Sequence, residues 1–159
     1  MKFLKWLAII VLVIISLILV LVGYVKYQES SYEKTAVPYV KEAIPAITSW
    51  NPQKVRALMQ PQISQTISDA DLSKLLGWLS KLGALKGIDE PQFDNVFSGA
   101  DTNYGSYKIV TYDVLAHFDH GDAKIVLRIM DKGGVLKVFA FNINSKALMD
   151  APQAAPAKS

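Results

Sequence analysis

The feature that most constrains this chain is a long apolar run near its N-terminus. The run covers residues 6–25, carries no charge and follows a short leader that contains two lysines. After Trp6, only Ser16, Gly23 and Tyr24 dilute its aliphatic side chains. At about 1.5 Å per residue a helix of this length reaches roughly 30 Å, the thickness of the hydrocarbon core of a bilayer. The run therefore predicts a transmembrane helix with Trp6 and Tyr24 at the headgroup levels, where aromatic side chains concentrate.

The length of the run favours an uncleaved signal-anchor. The apolar region of a signal peptide has about 7 to 15 residues and ends at a small-residue cleavage site, and this run has neither property. Cleavage after Gly23 is the alternative. A basic leader before a first apolar helix usually stays in the cytoplasm, although lysines also follow the run and the charge count alone does not fix the orientation. We therefore expect a single-pass protein of the bacterial inner membrane whose C-terminal domain is periplasmic or otherwise extracytoplasmic.

Composition divides the chain into four segments. Residues 1–28 form the predicted membrane anchor and 29–36 a polar juxtamembrane spacer. Residues 37–148 have the composition of one globular domain and are long enough to bury a single core. Residues 149–159 are rich in Ala and Pro, and we expect them to be a disordered tail.

The charge balance excludes nucleic acid as an expected partner. Three lysines, at positions 2, 5 and 26, account for the net charge of +3, because the rest of the chain holds 14 basic and 14 acidic side chains. A nucleic-acid-binding surface needs a basic surplus, which the rest of the chain does not have. The chain contains no cysteine, no phosphate-binding Gly-rich loop and no G-x-S-x-G or H-E-x-x-H motif. No cofactor and no metal are therefore predicted.

Within the globular segment, helix signals precede strand signals. Short amphipathic helices are predicted to begin at Pro38, at the N-cap Asn51 and at the capping residue Ser68, and Pro61 is predicted to end the second of them. After Gly83 the apolar pattern becomes typical of strands, and glycine-containing turns join the last three into hairpins. Helices followed by an antiparallel meander predict an α+β domain with the helices on one face of a curved sheet. The predicted strands lie at about 92–98, 107–118, 123–130 and 135–143.

This order of elements resembles a known superfamily. Three short helices, then hairpin-linked strands with the pair Gly133-Gly134 near the last hairpin, are similar to the cystatin-like or NTF2-like cone fold. The likeness is closest to small bacterial envelope domains that carry one N-terminal anchor or signal. The resemblance implies a hollow between helices and sheet that holds a ligand, and a dimer through the open sheet face. Enzymes of the superfamily place Asp, His or Tyr in that hollow, but none of their catalytic residues aligns with this chain.

The densest group of chemistry-bearing side chains lies in the segment DVLAHFDHGD, residues 113–122. Asp113 and His117 fall in a predicted strand, whereas His120 and Asp122 fall in a hairpin turn, where Asp serves turn geometry. A solvated hairpin is the simplest interpretation of the segment. A pocket role for Asp113 or His117 and a metal site are the alternatives.

Three tyrosines, Tyr104, Tyr107 and Tyr112, lie just before or within the same predicted strand. In a cone fold such rings can line a ligand pocket and their hydroxyl groups can orient the ligand, but they can equally complete a core. The predicted pocket residues are Tyr107, Tyr112, Asp113 and His117.

Two classes of function follow. The first is a single-pass, membrane-anchored, non-catalytic domain of the bacterial cell envelope, whose partners are the lipid bilayer and either an envelope protein or a second copy of the chain. The alternatives are a small NTF2-like enzyme that acts on an apolar substrate in the cone pocket and an accessory subunit of a membrane complex. A filled core with an exposed apolar sheet face favours binding, whereas a closed pocket around an ionisable group of perturbed pKa favours catalysis.

Overall fold

The computed structural model describes residues 2–102 and 104–149. The chain forms two compact units, Met1–Thr35 and Ala36–Ser159. Apart from Met149, the predicted Ala/Pro-rich tail lies outside the described residues. In the first helix the description also omits the side chains at positions 2–5, 7–8, 25–26, 28–29 and 31.

The first unit contains one long helix, α1 (Lys2–Glu33). No helix among the described residues is both long enough and apolar enough to cross a bilayer. This finding contradicts the predicted transmembrane helix, and with it the signal-anchor interpretation and the single-pass location in the bacterial inner membrane.

The second unit begins with four helices and a 3₁₀ turn. The side chain of Asn51 accepts hydrogen bonds from the N–H groups of Gln53 and Lys54, and that of Ser68 accepts one from the N–H of Asp71. Both predicted N-caps are therefore confirmed, since each supplies an acceptor to a helix donor that would otherwise have none. The elements are α2 (Ala36–Ile47), α3 (Pro52–Leu58), α4 (Pro61–Thr66), α5 (Asp69–Leu79) and the 3₁₀ turn Ser80–Leu82.

The sequence-based prediction missed two elements. Pro61 was expected only to end a helix, but it begins α4, because proline fits the first helical position, where its missing N–H costs nothing. The four-residue strand β1 (Leu85–Ile88) was also not predicted, since four residues are too few to show an alternating pattern.

Five strands form one antiparallel sheet, which confirms the predicted α+β class. The order is β1-β3-β4-β5, and β2 also pairs with β3. β1 and β2 pair with successive parts of β3, so no more than four strands lie side by side. The remaining elements are β2 (Gln92–Asp101), β3 (Gly105–Phe118), β4 (Gly121–Lys132), β5 (Val135–Asn144) and the short helix α6 (Lys146–Met149).

The two faces of the sheet differ in burial. On the inner face, which contributes to the core shared with the helices, Tyr112 lies opposite Leu127, which in turn lies opposite Phe141. The outer face carries both charged and apolar side chains, most of which are more exposed. Along β3 and β4 these residues alternate with the buried residues of the inner face. The buried residues of the inner face include Val110, Tyr112, Val114, Ala116, Phe118, Ala123, Ile125, Leu127, Ile129, Val138 and Ile143.

Candidate functional site

The four predicted pocket residues do not meet in one place. Tyr112 belongs to the inner face, is 1 % exposed and packs edge-on against Phe93 at a centroid distance of 6.0 Å. Tyr107, Asp113 and His117 belong to the outer face of β3. Tyr107 and Asp113 are six residues apart on one strand, which corresponds to about 20 Å. The structure therefore divides the predicted pocket between two faces and along the length of β3.

Tyr107 packs on the sheet near the end of the β2–β3 hairpin. Its ring covers Gly99 on the neighbouring strand, where a Cβ atom would lie 2.7 Å from the ring atom Cζ. The ring also contacts Tyr104 edge-on, at 5.7 Å between centroids. A side chain at position 99 would therefore displace this ring, and this part of the tyrosine cluster packs against the sheet surface.

His117 is held between two carboxylates. Its Nδ1 lies 2.8 Å from Oδ1 of Asp122, the residue opposite on β4, and its Nε2 lies 3.1 Å from Oδ1 of Asp89 in the connection between β1 and β2. Hydrogen bonds to Asp122 and then to Asp89 raise the pKa of the His117 imidazole, because both carboxylates stabilise its protonated form. The three side chains tie the β1–β2 connection to the centre of the sheet.

A second ionic contact lies further along the same face. The ammonium group of Lys124 is 2.7 Å from Oδ2 of Asp113. The hydrogen bond to Asp113 raises the pKa of Lys124. Leu115, which is 41 % exposed, lies opposite Lys124, and the half-buried Val126 lies opposite Asp113.

Together these residues define an outer patch with apolar side chains between ionic groups. Val126 also borders a shallow cleft of about 300 Å³, which continues across Arg128 and Ala140 toward β5. Among the described residues, no group of three or more His, Cys, Asp or Glu side chains could hold a metal ion. We call this set of residues the outer patch: Asp89, Asp113, Leu115, His117, Asp122, Lys124 and Val126.

The β3–β4 turn is exposed to solvent, as predicted for a solvated hairpin, and two of its side chains also attach it to the protein. The carboxylate Oδ2 of Asp119 accepts a hydrogen bond from the N–H of Ala84 at 2.9 Å, and Nδ1 of His120 lies 2.7 Å from the carbonyl oxygen of Lys81, to which it donates. The bond from Ala84, together with the ammonium group of Lys86, lowers the pKa of Asp119. The acidic and histidine residues of this turn therefore serve to attach it to the segment that follows α5.

Gly83 makes this docking possible. Its φ of +85° lies in the region that favours glycine, and a Cβ atom there would lie 2.7 Å from Cβ of Asp119. Its carbonyl oxygen accepts a hydrogen bond from the indole N–H of Trp50 at 3.2 Å, and the same indole stacks on Phe118 at 5.9 Å. Gly83 caps the 3₁₀ turn and is also the point at which the β3–β4 turn contacts it.

Large side chains pack the space between the helices and the sheet. Tyr112 and Leu127 from the sheet and Ile44, Leu72 and Leu76 from the helices are each less than 2 % exposed.

Sequence reasoning missed Asp89, Leu115 and Val126 as members of the outer patch. Because alternate residues of a strand share a face, the positions of Leu115 in β3 and Val126 in β4 were the available signal for these two residues.

Comparison with known proteins assigns no family to the chain. No model of a known protein family matches the sequence. No curated protein is significantly similar to it. Its function is therefore inferred from the geometry of the outer patch.

Proposed function

We propose that the second unit is a non-catalytic binding domain and that it binds a partner protein through the outer patch. The observation that carries this proposal is the division between the two faces. Large apolar side chains pack the inner face, and the charged side chains that could bind or react lie on the outer face.

The pairing of these charged groups supports binding over catalysis. A general base has to be available to take a proton from a substrate. The two nitrogens of His117 are both directed at carboxylates, an arrangement that favours the imidazolium, and Asp113 is in contact with Lys124. These contacts stabilise fixed charges and leave no described group of the outer patch poised for proton transfer, which weakens the enzyme alternative.

The layout of the outer patch supports a protein as the partner. Interfaces between proteins commonly have an apolar centre that excludes water and a polar rim that confers specificity. Leu115 provides the apolar centre, because Asp113 and His117 flank it on β3 and Lys124 lies opposite it. Val126 adds apolar surface on the far side of the Asp113–Lys124 contact. The α+β architecture is compatible with a cystatin-like or NTF2-like relationship, which stays a proposal, and an interface on the open sheet face agrees with it.

Site-specific photocrosslinking in the cells that produce the protein tests this proposal. A photoreactive amino acid is placed at Leu115 and, as a matched control, at the exposed Gln53 of α3. We expect one discrete adduct from position 115 and none from position 53. Adducts of equal yield at both positions, or none at position 115, would overturn the proposal.

A second variant shows whether the adduct depends on the apolar centre. With the photoreactive residue at Val126, the change Leu115→Lys should reduce the adduct at least tenfold, because it places a charge where the partner buries an apolar group. The change Gln53→Lys should leave the adduct unchanged. Equal adducts in both variants would show that the apolar centre does not form the interface.

A further inference from the structure

One edge of the sheet is open. β2 pairs with β3 on one side only, and among the described residues no strand and no backbone hydrogen bond occupies the other side of Val96–Ala100. In an antiparallel strand, alternate residues direct both their N–H and C=O groups toward the unpaired side. This five-residue segment, which we call the β2 edge, therefore presents hydrogen-bonding groups to whatever lies beside it.

The β2 edge lacks the features that usually protect such a strand. Lysine, proline and bulges are the common ways of preventing edge-to-edge pairing. The segment reads VFSGA and contains neither lysine nor proline, and the register shift in β2 falls before it, between Phe93 and Asn95. Phe97 in its middle is 59 % exposed. The β2 edge is thus uncharged and open, with an apolar side chain at its centre.

We infer that the β2 edge binds the β2 edge of a second copy of this chain, in antiparallel orientation and centred on Phe97. A twofold axis perpendicular to the sheet keeps the inner faces of both copies on the same side. In such a pairing one residue must lie opposite the same residue of the second copy. Centring the pairing on Phe97 brings the two exposed rings together. This inference goes beyond the proposed function and does not depend on the outer patch.

The distribution of charge agrees with this register. The pairing places Val96 opposite Ser98 of the second copy, and the segment itself contributes no like charges. Asp94, which has no partner residue in β3 because the register shifts there, and Asp101 both lie outside the paired segment. A basic or acidic peptide would find no opposite charge within the segment. A second copy provides hydrogen-bonding partners for the backbone of the β2 edge and a ring that packs against Phe97.

The absence of cysteine from the chain permits a test specific to this register. Two full-length variants, Val96→Cys and Ser98→Cys, each keep Phe97 and are oxidised mildly, either separately or as a mixture. In the mixture the two sulfur-bearing residues lie opposite each other, with Cα atoms about 4.5 to 5.5 Å apart, which suits a disulfide. In each separate sample the identical positions lie about 8 Å apart, because they are displaced by two residues along the strand.

We expect a disulfide-linked dimer at least fivefold more abundant in the mixture than in either separate sample. Adding Phe97→Lys to both variants should abolish the difference, whereas adding Gln53→Lys should preserve it. Association through any other part of the chain, including α1, would link the mixed and separate samples equally. Equal linkage, or no linkage in the mixture, would overturn the inference.

Discussion

The two edges of the sheet are treated in opposite ways. At the β5 edge, Met59 forms a parallel bridge with Val138, and the N–H of Gln60 donates to the carbonyl oxygen of Val138 at 2.9 Å. The ammonium group of Lys137 reaches the carbonyl oxygen of Ala57 at 3.0 Å, so the segment after α3 covers this edge. At the β2 edge no described part of the chain does the same.

The difference shows what closing an edge requires. Met59 and Gln60 leave the helical conformation, with ψ angles of 152° and 131°, and this extended backbone is what lets them bond to a strand. α3 and α4 on either side hold them there. In the part of the chain that the structure describes, β2 has no such neighbour, and its first half is instead altered by the register shift at Asp94.

The largest effect should follow from removing a buried side chain that lies beside the β5 edge. Met59 is 5 % exposed, and Met59→Ala should lower the free energy of unfolding by about 2 to 5 kcal/mol through lost packing and a residual cavity. Urea denaturation measures the change. Gln53→Ala, on the exposed side of α3, should stay within about 0.5 kcal/mol. A Met59 variant as stable as the control would show that this side chain contributes nothing to the packing beside the β5 edge.

Proline substitution in the β2 edge should reveal its alternating pattern. Of the adjacent variants Phe97→Pro and Ser98→Pro, one removes an N–H that bonds to β3 and the other an N–H that points away from the sheet. We expect the variant that removes the N–H bonded to β3 to lose about 1 to 3 kcal/mol more stability than the other, because it leaves a strand carbonyl without its donor. Denaturation at low protein concentration measures both. Equal losses would indicate that β2 is not an open edge.

A smaller effect isolates the hydrogen bond at the β5 edge. Gln60 has φ of −59° and precedes a proline, so Gln60→Pro fits the backbone and removes only its N–H. We expect a net loss of about 1 kcal/mol, since the lost bond outweighs the reduced freedom of the unfolded chain. Gln60→Ala keeps the N–H and controls for the side chain. If the proline variant matched the alanine variant, the bond to Val138 would have no net value.

Local signals were enough to predict the helix caps, the hairpin turns and the α+β architecture of the second unit. Asn51 and Ser68 act on donors two or three residues away, and the hairpin turns join strands that are adjacent in sequence. The covering of Val138 by Met59 joins residues 79 positions apart and leaves no mark on either segment. The same is true of Asp89, which reaches His117 across 28 positions.

Sequence patterns were also least reliable where burial or length had to be judged. Asp113 and Tyr112 are neighbours in the chain and were assigned to one pocket, but adjacent strand residues face opposite sides of a sheet. Hydropathy likewise predicted a transmembrane helix in the first unit, and no described helix meets the length and apolarity that this requires. Alternation within a strand is the more reliable guide, because it depends on backbone geometry rather than on how long and how apolar a segment has to be.

The smallest predicted effect concerns the start of the open strand. Asp89 precedes β2 and holds the His117 imidazole together with Asp122, and these bonds raise the pKa of His117 in the folded protein. A raised pKa means that the folded state binds the proton more tightly than the unfolded state. The resulting stabilisation is complete below the unfolded pKa of about 6.5 and is lost as the pH rises through the folded pKa.

His117→Gln should therefore destabilise the protein more at pH 5.5 than at pH 9 in urea denaturation. In an NMR titration Asp89→Asn should lower the pKa of His117 without returning it to the unfolded value, because Asp122 remains. A destabilisation by His117→Gln that is equal at both pH values would show that the imidazole contributes packing alone, and that the β1–β2 connection is held to the sheet by other contacts.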